Sequence, residues 1–188
     1  MNEIHLQLCA SDEWADTVRQ RVVPWVLDGL DLGDDVLEIG PGPGRTTEIL
    51  QRLVPRLTAL EVDEELAAAL SRRLGGPNVE VVHGDATEMG LPGGRFSAAL
   101  SLTMLHHVPS APLQDRLFAE AARVLRPGGV FAGMDSVDSE EFRALHEGDI
   151  CVPIDPVGLA GRLEAAGFVD VAVDTNLSAT RFRARRPA

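Results

Sequence analysis

The stretch DDVLEIGPGPGR, residues 34–45, decides how this chain is read. Its first half, DDVLEI, reads as a strand, with Val36, Leu37 and Ile39 apolar and an acid, Glu38, near its end. Its second half sets Gly40, Gly42 and Gly44 at alternate positions, with Pro41 and Pro43 between them. Helical spacing then resumes at Thr46, Ile49, Leu50 and Leu53. A strand that enters a glycine bend and leaves it as a helix brings free amide donors and a positive dipole end to one spot. In open parallel sheets ligands lie beyond the carboxyl ends of the strands, so a nucleotide-type ligand is expected here. Spacing then separates ligand classes. The dinucleotide fingerprint Gly-x-Gly-x-x-Gly needs its third glycine one place later, where Arg45 stands. Glu38 would repel a pyrophosphate but suits a ligand with an ammonium group, because opposite charges attract strongly in a partly dry site.

Outward from this bend, short apolar runs alternate with helical patterns. Strands are expected over 34–39, 56–62, 79–83, 96–102 and 129–135. A helix over 64–74 opens on Glu64 and Glu65 and closes on Arg72 and Arg73, charges that complement its dipole. Another runs through Leu113, Leu117, Ala121 and Val124 to Pro127-Gly128-Gly129. Ser11 is a candidate N-cap for a helix through Trp14, Val18, Val22 and Trp25 to about Leu30, kinked at Pro24. Past residue 135 the texture changes to a short polar helix (139–147), an irregular stretch (149–156) and a helix (156–166). The runs 168–174 and 178–185 are joined too tightly for a parallel crossover, so they should pair antiparallel. The expectation is an α/β fold with one seven-stranded, mostly parallel sheet, helices on both faces and a C-terminal antiparallel strand pair. It forms one domain over 1–188: a helical cap (1–33), a cofactor-binding half (34–135), and a substrate-side insertion with the final strands (136–188).

Composition narrows the function. The 188 residues carry 29 acidic against 17 basic side chains, a formal charge of -12, which disfavours docking on nucleic acid or anionic membrane. Every basic residue is Arg, so there is no Walker or kinase lysine and no lysine Schiff base. Tyr is absent too, which removes the Tyr and Lys chemistry of many small nicotinamide reductases. Cys9 and Cys151 stand far apart without a Cys/His cluster, so neither a disulfide framework nor a metal site is expected. No leader-like or membrane-spanning run occurs, and a cytoplasmic protein, monomeric or homodimeric, is the expectation.

VLEIGPGPG resembles the first motif of the class I S-adenosylmethionine-dependent methyltransferases, acid-x-Gly-x-Gly-x-Gly. Further landmarks follow in that family's order across roughly residues 34–184. The resemblance implies a Rossmann-like fold and S-adenosylmethionine as cofactor, held by Glu38, Gly40, Pro41, Gly42 and Gly44. It implies that Glu61 takes both ribose hydroxyls, that Val62 packs on the adenine, and that Gly84-Asp85-Ala86 meets the adenine amino group. Leu102-Thr103-Met104-Leu105-His106-His107 follows strand four as in small-molecule methyltransferases, with Leu102 at the cofactor, and Leu125-Arg126-Pro127-Gly128-Gly129 precedes strand five. Two departures stand out. Ser97 replaces an Asp common after the Phe of strand four, which should weaken a local contact without touching the cofactor site. Nothing like Asn-Pro-Pro-Tyr follows strand four, which argues against nucleic-acid and protein-glutamine amide acceptors.

A sulfonium methyl is already activated, so transfer needs an acceptor atom held in line, with a base where the acceptor is a hydroxyl or acidic carbon. His106 and His107, at the carboxyl end of strand four, are the candidate bases; His146 and Asp135 are weaker ones. Ser136, not Asn, follows Asp135, so no magnesium is expected. His5 and His83 read as ordinary surface or strand-end residues. Trp14 belongs to the core or closes over the cofactor. Phe142, Ile150, Val152 and Ile154 should line a compact pocket for a small, partly apolar acceptor. O-methylation stands slightly ahead of N- or C-methylation. The competing readings are a nicotinamide-dependent oxidoreductase, a non-catalytic cofactor-binding subunit and a purely structural interaction domain.

Overall fold

Alternation along the first strand divides the interior into two layers. In the computed structural model, which describes residues 1–188, β1 (Asp35–Ile39) is buried along its whole length, as a central parallel strand must be. Leu37 and Ile39 join one apolar cluster and Val36 the other, on opposite faces of the sheet. Four further strands run parallel to β1: β2 (Arg56–Glu61), β3 (Val79–His83), β4 (Phe96–Leu102) and β5 (Leu125–Ser136). The last two, β6 (Val169–Thr175) and β7 (Ala179–Arg185), pair antiparallel, and β7 also pairs antiparallel with β5. The sheet order is β3-β2-β1-β4-β5-β7-β6, the seven-stranded mixed sheet expected from the sequence. The order reverses between β1 and β4, and a crevice opens there at the strands' carboxyl ends.

Eight α-helices cover the sheet. The N-terminal cap holds α1 (Glu3–Ala10), α2 (Asp12–Thr17) and α3 (Val23–Leu27), with a π-helical turn at Val18–Val22. The single kinked helix expected from Ser11 is therefore broken into pieces, and an additional helix precedes it. Pro24 lacks an N–H and its ring crowds the preceding turn, which the wider π turn relieves. Between β1 and β2, α4 (Thr47–Leu50) is one turn long, shorter than the apolar spacing through Leu53 suggested. α5 (Glu64–Leu74) has the expected bounds, capped by the Asp63 carboxylate accepting the Leu66 N–H at 3.0 Å. α6 (Ala111–Val124) and α8 (Pro156–Ala165) cover one face through Leu117, Phe118, Leu159 and Leu163. Val22 and Val26 of the cap cover the other, over Val36, Ala98 and Val130. α7 (Glu140–Leu145) lies in the insertion after β5. No helix is long and apolar enough to cross a membrane.

Two local readings change. β5 starts at Leu125, not 129: Leu125 pairs with Phe96 and Val130 with Ala98, so residues 126–129 loop out as a bulge. Ser97, expected to weaken a local contact, has backbone atoms within hydrogen-bond reach on three sides. Its buried hydroxyl lies 2.6 Å from the Leu32 carbonyl and 2.8 Å from that of Asp35, and it accepts the Asp35 N–H at 3.0 Å. A Cβ on Gly33 would come within 2.6 Å of the Ser97 side chain, so the space here is already full.

Candidate functional site

The crevice at the switch point holds a cavity of about 330 Å³. Its sheet-side wall is the bend after β1. Gly40, Gly42 and Gly44 all adopt positive φ, which only glycine takes without strain. At Gly44 space is limiting as well, since a Cβ would meet Leu70 at 2.3 Å. The Gly42 N–H donates to Glu61 Oε2 at 2.8 Å, and the Asp63 N–H donates to Glu61 Oε1 at 3.0 Å. Glu61 is thus fixed at the end of β2 by two backbone donors, and each oxygen keeps a lone pair for a ligand. Gly40, Pro41, Gly42, Glu61, Val62 and Leu102 all line the cavity, Val62 with 65% of its surface exposed.

Other expected contacts sit off the wall. Glu38 is buried beneath the bend, where it accepts the Thr47 hydroxyl at 2.7 Å. Burial, opposed by the Thr47 bond and reinforced by Glu61, pushes its carboxyl up to about 7. Gly44 packs on α5 outside the cavity. Asp85 is exposed in the loop after β3, its carboxylate taken by the Thr87 N–H at 2.7 Å, and Ala86 belongs to the core.

These residues fit an adenosyl amino acid better than a dinucleotide. Glu61, Asp63, Glu65 and Asp149 line the cavity against two cations, Arg45 and the Met1 amino group, the latter paired with Asp149 at 3.4 Å. Arg45 is itself engaged: it donates to the Ala10 carbonyl at 3.1 Å and pairs with Asp12 at 3.0 Å, tying the cap over the bend. An anionic wall attracts a sulfonium and an ammonium group and repels a pyrophosphate. Trp14 both lines the cavity and packs on the core.

Thr103 lines the cavity with φ +54°, a left-handed conformation that costs a β-branched residue about 1–2 kcal/mol. Nothing in the sequence marked it. Of the expected pocket residues, Ile150 alone reaches the wall. Ile154 is drawn into the core, Phe142 packs edge-on against His106 at 4.9 Å, and the Val152 backbone bonds to the His106 carbonyl at 2.8 Å.

The histidines are the largest correction. His107 lines the cavity, whereas His106 lies behind it, 2% exposed. Asp135 accepts from His106 Nδ1 at 2.6 Å and from the His106 backbone N–H at 3.0 Å. His5, expected at the surface, is buried, with ring centroids 4.3 Å from His146 and 5.1 Å from His107. Burial lowers His107 to about 3 and His5 to about 4, each helped by neighbouring imidazoles, and also lowers His146. These three rings are therefore neutral near pH 7. The sequence offered the His106-His107 doublet alone; His5 and His146 join it only through the fold.

A family model described as a methyltransferase domain matches residues 37–133, just over half of the chain. A protein-L-isoaspartate O-methyltransferase from Nitrobacter winogradskyi is 35% identical over 115 residues, covering 53% of this chain and 53% of that protein. A ribosomal RNA small subunit methyltransferase A from Synechococcus sp. is 34% identical over 114 residues, covering 57% of this chain and 40% of that one. The chain thus spans about a third to a half of the length of the curated relatives it matches. Among solved structures, Haemonchus contortus phosphoethanolamine N-methyltransferase 2, bound to phosphomonomethylethanolamine and S-adenosylhomocysteine, superposes with a TM-score of 0.76. At 14% identity, over 98% of this chain and 57% of that one, this is a likeness of fold.

Proposed function

The chain belongs to the class I S-adenosylmethionine-dependent methyltransferases, and from that membership we propose that it methylates a small molecule, at oxygen, by direct in-line displacement. The observation that carries this reading is the Glu61 carboxylate, held at the cavity rim by the Gly42 and Asp63 amides with lone pairs to spare. The cofactor, when bound, supplies a methyl group already activated on sulfur, so the protein's task is positioning.

Glu61 accepts the two ribose hydroxyls, and Val62 offers its exposed apolar face to the adenine, whose amino group Asp85 accepts. The bend from Gly40 to Gly44 follows the amino-acid end, with Glu38 supplying negative charge beneath it for the ammonium. Leu102 forms the floor. His107 meets the acceptor, because it is the histidine on the cavity wall; His106, fixed by Asp135, positions it from behind. A neutral ring hydrogen-bonded to the acceptor aligns the oxygen lone pair with the methyl carbon.

The relatives named above act, by their names, on protein and on ribosomal RNA. A formal charge of -12 and a cavity of about 330 Å³ favour a small acceptor here. Incubation with methyl-tritiated S-adenosylmethionine and a metabolite extract should put label into the low-molecular-weight fraction. Label confined to protein or RNA, or no transfer at all, would overturn this reading.

A further inference from the structure

Four of the five histidines in the chain converge behind the cavity. His5 comes from α1, His106 and His107 from the turn after β4, and His146 from the end of α7; one ring nitrogen of each lies within 4.8 Å of the others. Their surroundings settle two tautomers. His106 Nδ1 faces the Asp135 carboxylate at 2.6 Å and His146 Nδ1 faces the Phe142 carbonyl at 2.7 Å. Carbonyls only accept, and so does an ionised carboxylate; each Nδ1 therefore carries the proton and each Nε2 a lone pair. Both Nε2 atoms, and Nδ1 of His5, are buried without a hydrogen-bond partner, in residues no more than 6% exposed. A buried polar atom left unpaired costs about 1–3 kcal/mol. Converging lone pairs repel one another unless a cation lies between them.

We propose that His5, His106, His107 and His146 hold one divalent transition-metal ion of the zinc class, which pins the N-terminal helix and the insertion after β5 to the end of β4. Metal–nitrogen bonds of about 2.0–2.1 Å in a tetrahedron place imidazole centroids about 5 Å apart. The six centroid separations here run from 4.2 to 6.2 Å. Asp135 on His106 and the Phe142 carbonyl on His146 are the outer partners that fix a metal-binding ring and raise its basicity. Nitrogen-only donors favour zinc, cobalt, nickel or copper over the oxygen-seeking magnesium and calcium. His107 has two nitrogens, so it can face the ion with one and the cavity with the other.

The test is titration of the chelator-treated full chain with Co²⁺, read by ligand-field absorption, followed by displacement with Zn²⁺. One equivalent should bind with the spectrum of a tetrahedral nitrogen site, and Zn²⁺ should raise the thermal midpoint. His5→Gln and His146→Gln should each weaken Co²⁺ binding at least roughly 100-fold, Asp135→Asn about 10-fold. His83→Gln, at the exposed fifth histidine, should leave binding unchanged. A wild-type chain that takes up no equivalent overturns the proposal however the variants fold. So does one-equivalent binding that survives both His5→Gln and His146→Gln, or that requires His83.

Discussion

The two walls of the cavity are built in opposite ways. The cofactor wall comes from one strand, one bend and the end of the next strand, residues 38–62, and its central hydrogen bonds join backbone amides to Glu61. The opposite wall, backed by the histidine cluster, is gathered from α1, the turn after β4 and the insertion, and Asp135, Phe142 and Gln114 hold its pieces together. A wall made by contiguous sequence has its geometry set by local turn chemistry. A wall assembled from distant segments has its geometry set by packing, and it is free to change its chemistry while the sheet stays the same.

Glu38 gives the sharpest way to test the first wall's design. Its carboxyl titrates near 7 in the fold against 4.5 in the unfolded chain, because burial disfavours the charge. Between those values the folded state holds more protons than the unfolded one, so ligand-free stability falls as pH rises through this window and stays low above it. Glu38→Gln removes that loss. Denaturant midpoints should show the variant more stable than wild type by about 3 kcal/mol at pH 8 and nearly equal to it at pH 4, while cofactor affinity drops. An unaltered pH slope would show that Glu38 does not carry the buried charge.

Glu61→Ala comes next in size. Losing the acceptor for two backbone amides and the ribose contacts together should weaken S-adenosylhomocysteine binding tenfold or more in calorimetry; an unchanged affinity would discredit the assignment. His107→Gln tests the other wall. Turnover should fall roughly tenfold or more with cofactor affinity kept within about twofold, and a variant of normal rate would clear His107 of the acceptor contact.

This contrast also explains what the sequence revealed. The bend, Glu61 and α5 were legible because their signals are local: glycines at alternate positions, an acid closing a strand, charges at helix ends. The antiparallel β6–β7 pair was legible from a connection too short for a crossover. The histidine cluster was not. His5 lies in a weakly amphipathic helix that reads as surface, and its helix is brought against the insertion by Asn2, which donates to the Leu145 carbonyl and to the Asp149 carboxylate, each at 2.8 Å. Ile154 and Phe142 are apolar as a pocket lining would be, but composition does not say which apolar residues face a cavity and which close the core. Thr103 looks ordinary in sequence, because the strain it carries exists only in the folded turn.

The central claim is that this bend and Glu61 cradle an adenosyl amino acid. Calorimetric titration of the wild-type chain with S-adenosylhomocysteine, repeated in the presence of excess oxidised and reduced nicotinamide dinucleotide, tests it most directly. One equivalent bound, with the dinucleotides unable to compete, is the expected result. No binding, or displacement by a dinucleotide, would contradict it.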